Sequence, residues 1–275
     1  MTAPLLAPRV ARLGLGDEPS LAALLAGDEV AHLFLIGFLS SHPIDRAWWY
    51  GVLEGSRVRA AVLVLPDRLA VPCAPDPDDA SVLGAHIASR HRPCLVVGPR
   101  AASDHLFERW SPGRGPRRIH DQRLYRLESI EDRPDPAGFR LAVWDDRAVV
   151  ATQSAAMERE DLGTDRLGEP DAHDQIVQDR IQGGRTWVIE REDRIVFQVN
   201  VGTTHAVGCQ IGGTWVPPEH RGHGLATAGI AATCRRLLTT HRRVTLHVNE
   251  VNHAAVRVYE KVGFVRDAAF RLLIP

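Results

Sequence analysis

The chain has 275 residues and a mass of 30.3 kDa, a length that suits one large or two modest domains. Its 44% hydrophobic and 24% charged residues are typical of a folded globular protein and exclude disorder as the dominant state. Lysine and arginine number 33 against 34 acidic residues, which gives a formal net charge of -1. This balance argues against a dedicated nucleic-acid binder, because such proteins carry a basic excess.

The cysteines and the N-terminal residues indicate a compartment. Four cysteines are dispersed without a CxxC pair, which predicts buried thiols in a reducing environment: Cys73, Cys94, Cys209 and Cys234. Residues 1–11 lack the pattern of a signal peptide. The most apolar run, 30–39, is about half as long as a membrane-spanning helix. We therefore expect a cytoplasmic protein with no membrane partner.

The first half of the chain alternates between helical and extended patterns. Apolar spacing and turn residues predict helices at 21–25, 30–40, 79–89 and 101–110. Val-rich and aromatic runs predict strands at 48–53, 58–65, 69–73, 94–97 and 123–127. The charged, proline-rich stretch at 131–136 has the composition of a linker. We therefore predict two domains, 1–135 and 136–275.

The second half begins with a strand-like run at 139–144 and an acidic segment at 157–161. A helix is predicted at 174–181 and ends before Gly183-Gly184. Further strands are predicted at 186–190, 195–201, 209–216 and 244–249, with a long helix ending near 238. Both halves therefore belong to a mixed α/β class.

The turn before the long helix is the first stretch that suggests a function. A strand ends at Pro217-Pro218, and Arg221-Gly-His-Gly-Leu-Ala226 leads into the helix. The first N–H groups of a helix have no internal partner, and the helix dipole is positive at that end, so such a turn suits a phosphate group. A Rossmann fingerprint fits poorly, since Thr227 stands where its third glycine or alanine belongs. A Walker motif is excluded because the one lysine, Lys261, lies far downstream.

A third pattern matches well. Arg221–Ala226 resembles the R/Q-x-x-G-x-G/A signature of the GNAT superfamily of acyl-CoA N-acyltransferases. Further along, Asn252-His-Ala-Ala and Tyr259-Glu-Lys-Val-Gly-Phe264 are similar to that family's N-x-x-A and Y-E-K-x-G-F elements, in the family's order. The resemblance covers 139–275. The run from Pro217 to Gly222 also resembles the glycine N-acyltransferase-like branch.

The resemblance implies a role for each matching position. Six backbone amides would enclose the diphosphate of coenzyme A: Gly222, His223, Gly224, Leu225, Ala226 and Thr227. Arg221, which opens the signature, belongs to the same cofactor set. Trp215 and Val216, at the end of a strand splayed from its neighbour, would offer backbone hydrogen bonds to pantetheine. Asn252 would contact the cofactor, and Tyr259 would be the general acid for the departing thiolate.

The proton acceptor is less defined. Many family members carry a carboxylate on the splayed strand, whereas this sequence places Gln210 there, and an amide cannot act as a base. The acceptor amine, with an ordinary pKa of about 10.4, must lose a proton before it attacks. Water ordered by Gln210, or one of the side chains of Glu250, His205 and His247, remains open for this task.

Structural explanations compete with the functional ones. Asn252 also suits the N-cap of a helix, and Tyr259 lies among apolar neighbours that would pack it in a core. His220 and His223 lack the further ligands of a zinc site, so we expect no metal. The acidic residues at 157–161 fit a solvated helix face or the lining of a pocket for a cationic acceptor.

The resemblance implies tandem GNAT-like domains, of which the N-terminal one is degenerate because it lacks the glycine signature. It further implies an N-acetyltransferase that moves an acetyl group from acetyl-CoA to a primary amine by direct attack in a ternary complex. The amine would belong to a small molecule or a protein, with no nucleic-acid partner, and a homodimer stays open. The alternatives are a non-catalytic acyl-CoA-binding module, which the missing carboxylate favours, and a nucleotide-binding oxidoreductase.

Overall fold

The computed structural model describes residues 9–163 and 170–275. These residues form twelve strands and eight α-helices. The strands are β1 (Arg9–Arg12), β2 (Trp48–Glu54), β3 (Arg57–Leu65), β4 (Leu69–Cys73), β5 (Leu95–Pro99), β6 (Arg118–Leu127), β7 (Phe139–Leu141), β8 (Thr186–Arg191), β9 (Arg194–His205), β10 (Gly208–Trp215), β11 (Val244–Asn249) and β12 (Val265–Ile274). The helices are α1 (Glu18–Ala26), α2 (Leu33–Ser41), α3 (Pro77–Ala88), α4 (Arg100–Trp110), α5 (Arg147–Leu162), α6 (Pro170–Gln182), α7 (Leu225–Leu238) and α8 (His253–Val262).

The order of the elements repeats. A strand, two helices, three strands, and then helix, strand, helix, strand follow each other from β1 to β6 and again from β7 to β12. Strand pairing repeats as well. The pairs β1–β2, β2–β3 and β3–β4 are antiparallel and β4–β5 is parallel, and β7–β8, β8–β9, β9–β10 and β10–β11 follow the same pattern. The chain is therefore a tandem of one mixed α/β fold.

The chain divides into two compact units. The first unit extends to Leu124 and adds Asn249–Val251 and Asp267–Pro275, while the second consists of Tyr125–Val248 and Asn252–Arg266. These limits differ from the predicted domains 1–135 and 136–275. The reason is that β12 pairs antiparallel with β5, through Phe270–Pro99 to Leu273–Val96, so the last strand lies in the first unit's sheet.

Each unit buries both faces of its sheet beneath helices, which makes three layers. In the first unit, Leu21 and Leu25 of α1 fill one core, and Leu83 of α3 and Leu106 of α4 fill another. In the second unit, α5 and α6 cover one face of the sheet through a small core. Its buried residues are Ala142, Val150, Val177, Ile181, Val188 and Ile195. A larger core beneath α7 and α8 includes Phe197, Ile230, Cys234 and Tyr259.

The main helices and strands lie close to their predicted positions, and the exceptions have identifiable causes. The acidic segment at 157–161 is the end of α5, whose buried positions include Ser154 and Ala155, so the apolar periodicity that marks a helix is weak.

All four cysteines are buried free thiols. No helix in the described part of the chain combines the length and apolar character needed to cross a bilayer.

The close approach of α3 to α4 leads to a prediction about stability. A Cβ added at Gly84 would lie 2.2 Å from the backbone oxygen of Leu106. Gly84→Ala therefore destabilises the protein by about 1–3 kcal/mol, because a backbone contact cannot yield cheaply. Denaturant unfolding followed by circular dichroism measures the change. Gly16→Ala is the control, since a Cβ there meets nothing within 4 Å. An unchanged or raised stability of Gly84→Ala, as expected from helix propensity alone, would contradict this account.

Candidate functional site

The central feature of the second unit is a fork between two parallel strands. β10 and β11 pair only through Cys209–Val244 and Gln210–Thr245. Beyond that point β10 continues to Trp215 and β11 to Asn249 without pairing to each other. The gap that the family resemblance implies is therefore present, and it opens towards the turn before α7.

A bulge shapes one side of the fork. Gly212 lies opposite Asn200 on β9, and Trp215 lies opposite Gln198, so β10 carries one extra residue over this interval. Gly213 absorbs the bulge at φ +62°, where a Cβ would lie 2.5 Å from Nδ2 of Asn200. The sequence pattern that indicates this bulge is the Gly212-Gly213 pair inside a strand.

The turn before α7 is open at the positive end of the helix. Gly222 and Gly224 have φ values of +82° and +76°, and a Cβ on either would meet nothing within 4 Å. Gly224 is the N-cap and supplies no capping side chain, and the first bond into the helix is from Ala228 N to Gly224 O at 3.0 Å. Within the described residues, the structure gives the amides from Gly222 to Thr227 no acceptor. Such a turn can hold a diphosphate through backbone donors.

Arg221 holds the turn in place. Its Nε donates to Val216 O at 3.0 Å, its Nη1 and Nη2 donate to the two carboxylate oxygens of Glu160 at 3.1 and 2.9 Å, and its guanidinium lies 4.7 Å above the ring of Trp215. The side chain that was expected among the cofactor contacts is thus bound by protein groups. The Val216 carbonyl accepts from Arg221, and the Val216 N–H is a further group that can bind a ligand.

Asn252 is bound by protein at both ends of its amide. Its Oδ1 caps α8 by accepting from Ala255 N at 3.1 Å, and its Nδ2 donates to Oδ1 of Asp161 at 3.2 Å. The structure therefore gives this side chain the capping role, together with a contact to the end of α5. Asp161 and Glu160, one residue apart on α5, reach different parts of the site.

Tyr259 lies across the fork from the bulge. Its side chain is buried, and its hydroxyl donates to Oγ1 of Thr214 on β10 at 3.3 Å. Burial raises the pKa of Tyr259 to about 12, and the nearby Asp161 carboxylate acts in the same direction. The phenol is therefore protonated at neutral pH and can donate.

Gln210 and His247 meet where the fork begins. Nε2 of Gln210 lies 3.2 Å from Nδ1 of His247 on β11. Burial lowers the pKa of His247 to about 4, so the ring is neutral at physiological pH. The pair closes the narrow end of the fork with polar, uncharged groups.

The first unit has no equivalent of the open turn. The N-cap of α3 is Asp76, whose carboxylate accepts from Asp78 N at 2.9 Å, and Asp78 and Asp79 lie in the first turn. Asp79 is ion-paired with Arg59 at 2.7 Å, and the carboxylates of Asp76 and Asp78 disfavour a phosphate at that helix end. Nearby lies a cleft of about 440 Å³, lined in part by Arg57, Arg59 and Asp79. Among the side chains that the structure describes, no group of three or more His, Cys, Asp or Glu residues could hold a metal ion.

Comparison with known proteins agrees with this geometry. Residues 104–264 match the model of the acetyltransferase (GNAT) family. No curated protein matches the chain significantly.

Solved structures match over nearly the whole chain. A GNAT-family acetyltransferase from Colwellia psychrerythraea has a TM-score of 0.61 at 12% identity, covering 97% of this chain and 100% of that one. A GCN5-related N-acetyltransferase from Sphaerobacter thermophilus has a TM-score of 0.65 at 17% identity, covering 98% and 95%. A tandem GNAT protein from the clavulanic acid biosynthesis pathway has a TM-score of 0.58 at 16% identity, covering 97% and 98%. At these identities the likeness is one of fold, and it confirms the predicted tandem arrangement. Since the family model matches more than half of its residues, the chain belongs to the acetyltransferase (GNAT) family.

Proposed function

We propose that this chain is an N-acetyltransferase that moves the acetyl group of acetyl-CoA to a primary amine by direct attack within a ternary complex. The observation that carries the proposal is the juxtaposition, in one unit, of an uncapped helix N-terminus, an unpaired strand edge and a buried phenol. Family membership supports acyl transfer from acyl-CoA as the reaction class.

The residues present fit coenzyme A. The amides from Gly222 to Thr227 supply donors for a diphosphate, and the turn has room above both glycines. The N–H of Val216 and the unpaired edge of β10 supply hydrogen-bonding groups to an extended pantetheine arm. Bound there, acetyl-CoA supplies an activated acyl group whose leaving group is a thiolate.

Tyr259 has the properties of a general acid. A thiolate leaves more easily when a proton donor lies beside it, and a positioned acid contributes roughly 10²–10⁴-fold in rate. With a pKa of about 12, the Tyr259 phenol carries a proton at neutral pH. Thr214, which accepts from the phenol, fixes its position against β10.

Direct transfer is supported by the state of the cysteines in the second unit. Cys209 and Cys234 are buried, and burial raises the pKa of Cys209 to about 12 and that of Cys234 further still. Both therefore remain thiols at neutral pH, and the thiol is a poor nucleophile. Neither has the properties needed to carry an acyl-enzyme intermediate.

The finer predictions rest on the sequence alone. They are membership of the glycine N-acyltransferase-like branch, a cytoplasmic location and an acceptor amine on a small molecule or a protein. The acidic residues at 157–161 do not form a purely solvated helix face, because Glu160 pairs with Arg221 and Asp161 with Asn252.

The glycine turn gives a binding prediction. Alanine disfavours the φ of Gly224 by about 1–2 kcal/mol, so the free turn of the variant relaxes to another conformation and binding must restore the original one at that cost. A cost of about 1.4 kcal/mol corresponds to a tenfold change in affinity. Gly224→Ala is therefore expected to raise the Kd for coenzyme A about tenfold, measured by titration calorimetry. Gly55→Ala is the matched control, because Gly55 has φ +62° in a turn of the first unit. An equal loss of affinity in both variants, or no loss in Gly224→Ala, would show that the turn is not part of the binding site.

The general acid gives a kinetic prediction and the test of the proposed function. The wild-type protein is mixed with acetyl-CoA and a panel of primary amines, and thiol release and the acetylated product are followed. Tyr259→Phe is expected to lower kcat by roughly 10²–10⁴-fold with the Kd for coenzyme A unchanged, since its hydroxyl acts on the leaving group. Tyr125→Phe is the control, because that buried hydroxyl donates to Glu260 instead. A wild-type protein that binds acetyl-CoA and acetylates no amine of the panel would favour the non-catalytic module.

A further inference from the structure

The proposed reaction needs a proton acceptor that β10 does not supply. An ammonium group with a pKa of about 10.4 must lose a proton before its nitrogen attacks. Gln210 occupies the β10 position and is a neutral amide within hydrogen-bond distance of His247. The proton must therefore go to another group near the fork.

Two of the remaining candidates are removed by their positions. Glu250 is held by Arg123 at 2.8 Å and by Arg100 at 3.5 Å, within the first unit. His205 lies at the β9–β10 hairpin, on the paired side of the fork, where its Nδ1 accepts from Val207 N at 3.3 Å. Glu250 is thus held in ion pairs with two arginines, and His205 lies before the point where β10 and β11 pair.

His247 is a poor candidate for the proton acceptor because of the charge it would gain. A proton transferred from an ammonium to an imidazole leaves the site with a buried cation, and burial already lowers the pKa of His247 to about 4. A proton transferred to a carboxylate instead neutralises both partners. Burial therefore acts against a histidine base and in favour of a carboxylate base, because desolvation penalises the charged form in each case.

Asp161 is a carboxylate in the required place. It lies in the last turn of α5, where Asn252, the N-cap of α8, donates to its Oδ1 at 3.2 Å. Glu160, the preceding residue of α5, contacts Arg221 in the turn after β10, and Asp161 contacts Asn252 just after β11, so the Asp161 carboxylate lies between the ends of the two parted strands. Its charge also raises the pKa of the Tyr259 phenol. A carboxylate offers about four acceptor positions, so an ammonium can be bound beside the protein groups that already contact it. The neighbouring ion pair of Glu160 with Arg221 fixes this end of α5 against the turn.

We propose, on the basis of the acetyl transfer proposed above, that Asp161 is the catalytic base that takes the proton from the acceptor's ammonium group. The N–H bond breaks and its proton passes to the carboxylate, and the freed electron pair forms the C–N bond to the thioester carbonyl. The C–S bond then breaks, and the thiolate takes the proton of Tyr259. The nitrogen sheds a second proton as the amide forms, which restores Tyr259, and Asp161 releases its proton to solvent.

The groups around Asp161 set its titration. Desolvation raises its pKa and the charge of Glu160 adds to the rise, whereas the Asn252 hydrogen bond and the charge of Arg221 oppose it. Tyr259 faces it from α8 and is neutral below its own pKa of about 12. The active form is the carboxylate, so activity falls as the pH drops through the raised pKa of Asp161.

The test is the pH profile of Asp161→Asn with two acceptors. These are the best amine of the panel and its analogue that carries fluorine on the second carbon from the nitrogen, whose ammonium is more acidic. We expect kcat to fall by roughly 10²–10⁴-fold with the first amine, and the remaining activity to rise steadily with pH. With the fluorinated amine the variant recovers much of the lost rate, since a larger fraction of this amine is neutral at a given pH. Asp161→Glu, which restores a carboxylate, recovers part of the rate.

The neighbouring carboxylate provides the control. Glu160→Gln removes the ion pair to Arg221 and is expected to raise the Kd for coenzyme A while keeping the acidic limb of the profile. A kcat of Asp161→Asn within twofold of wild type, or an equal loss for both amines at every pH, would overturn the assignment. A wild-type protein that fails to bind acetyl-CoA would instead overturn the proposed function, and the base assignment with it.

Discussion

The fork depends on the loss of hydrogen bonding between β10 and β11 after Gln210 and Thr245. Every backbone group of a sheet interior needs a partner, so two adjacent strands that part must offer their donors and acceptors to something else. The bulge at Gly213 and the proline pair after β10 keep this edge from closing. The positions of Thr214, Tyr259 and the α7 N-terminus have functional meaning because they surround this unpaired edge.

The two units show how one fold presents an open or a capped helix N-terminus through a few residues. Both have a parallel pair of strands joined by a helix, and in both the pair is hydrogen-bonded over only two positions. In the second unit, glycines at positive φ leave the helix N-terminus open. In the first, Asp76 caps it and two further carboxylates lie in its first turn. The difference is one of local charge and capping, while the surrounding architecture is retained.

Much of the fold and part of the site could be predicted from the sequence. The glycine turn, the long helix after it and the Asn252–Phe264 segment are local patterns, and local patterns are readable from spacing. The partners of Arg221 and Asn252 could not be found in this way, because Glu160 and Asp161 lie 61 and 91 residues away in the chain. The sequence offered three acidic residues on a helix face, and tertiary packing gave two of them, Glu160 and Asp161, separate contacts.

The position of the last strand was also beyond local patterns. Its apolar alternation resembles that of any strand, and its partner β5 lies in the first unit. The division at a proline-rich linker reflected composition, whereas the compact units follow strand pairing.

The pairing of β12 with β5 has a consequence for synthesis on the ribosome. The residues that complete the first unit's sheet are translated after the whole second unit, so that sheet has an open edge at β5 throughout elongation. The sheet of the first unit is thus completed only at the end of translation, and severing the polypeptide at the linker would leave the earlier fragment short of a strand.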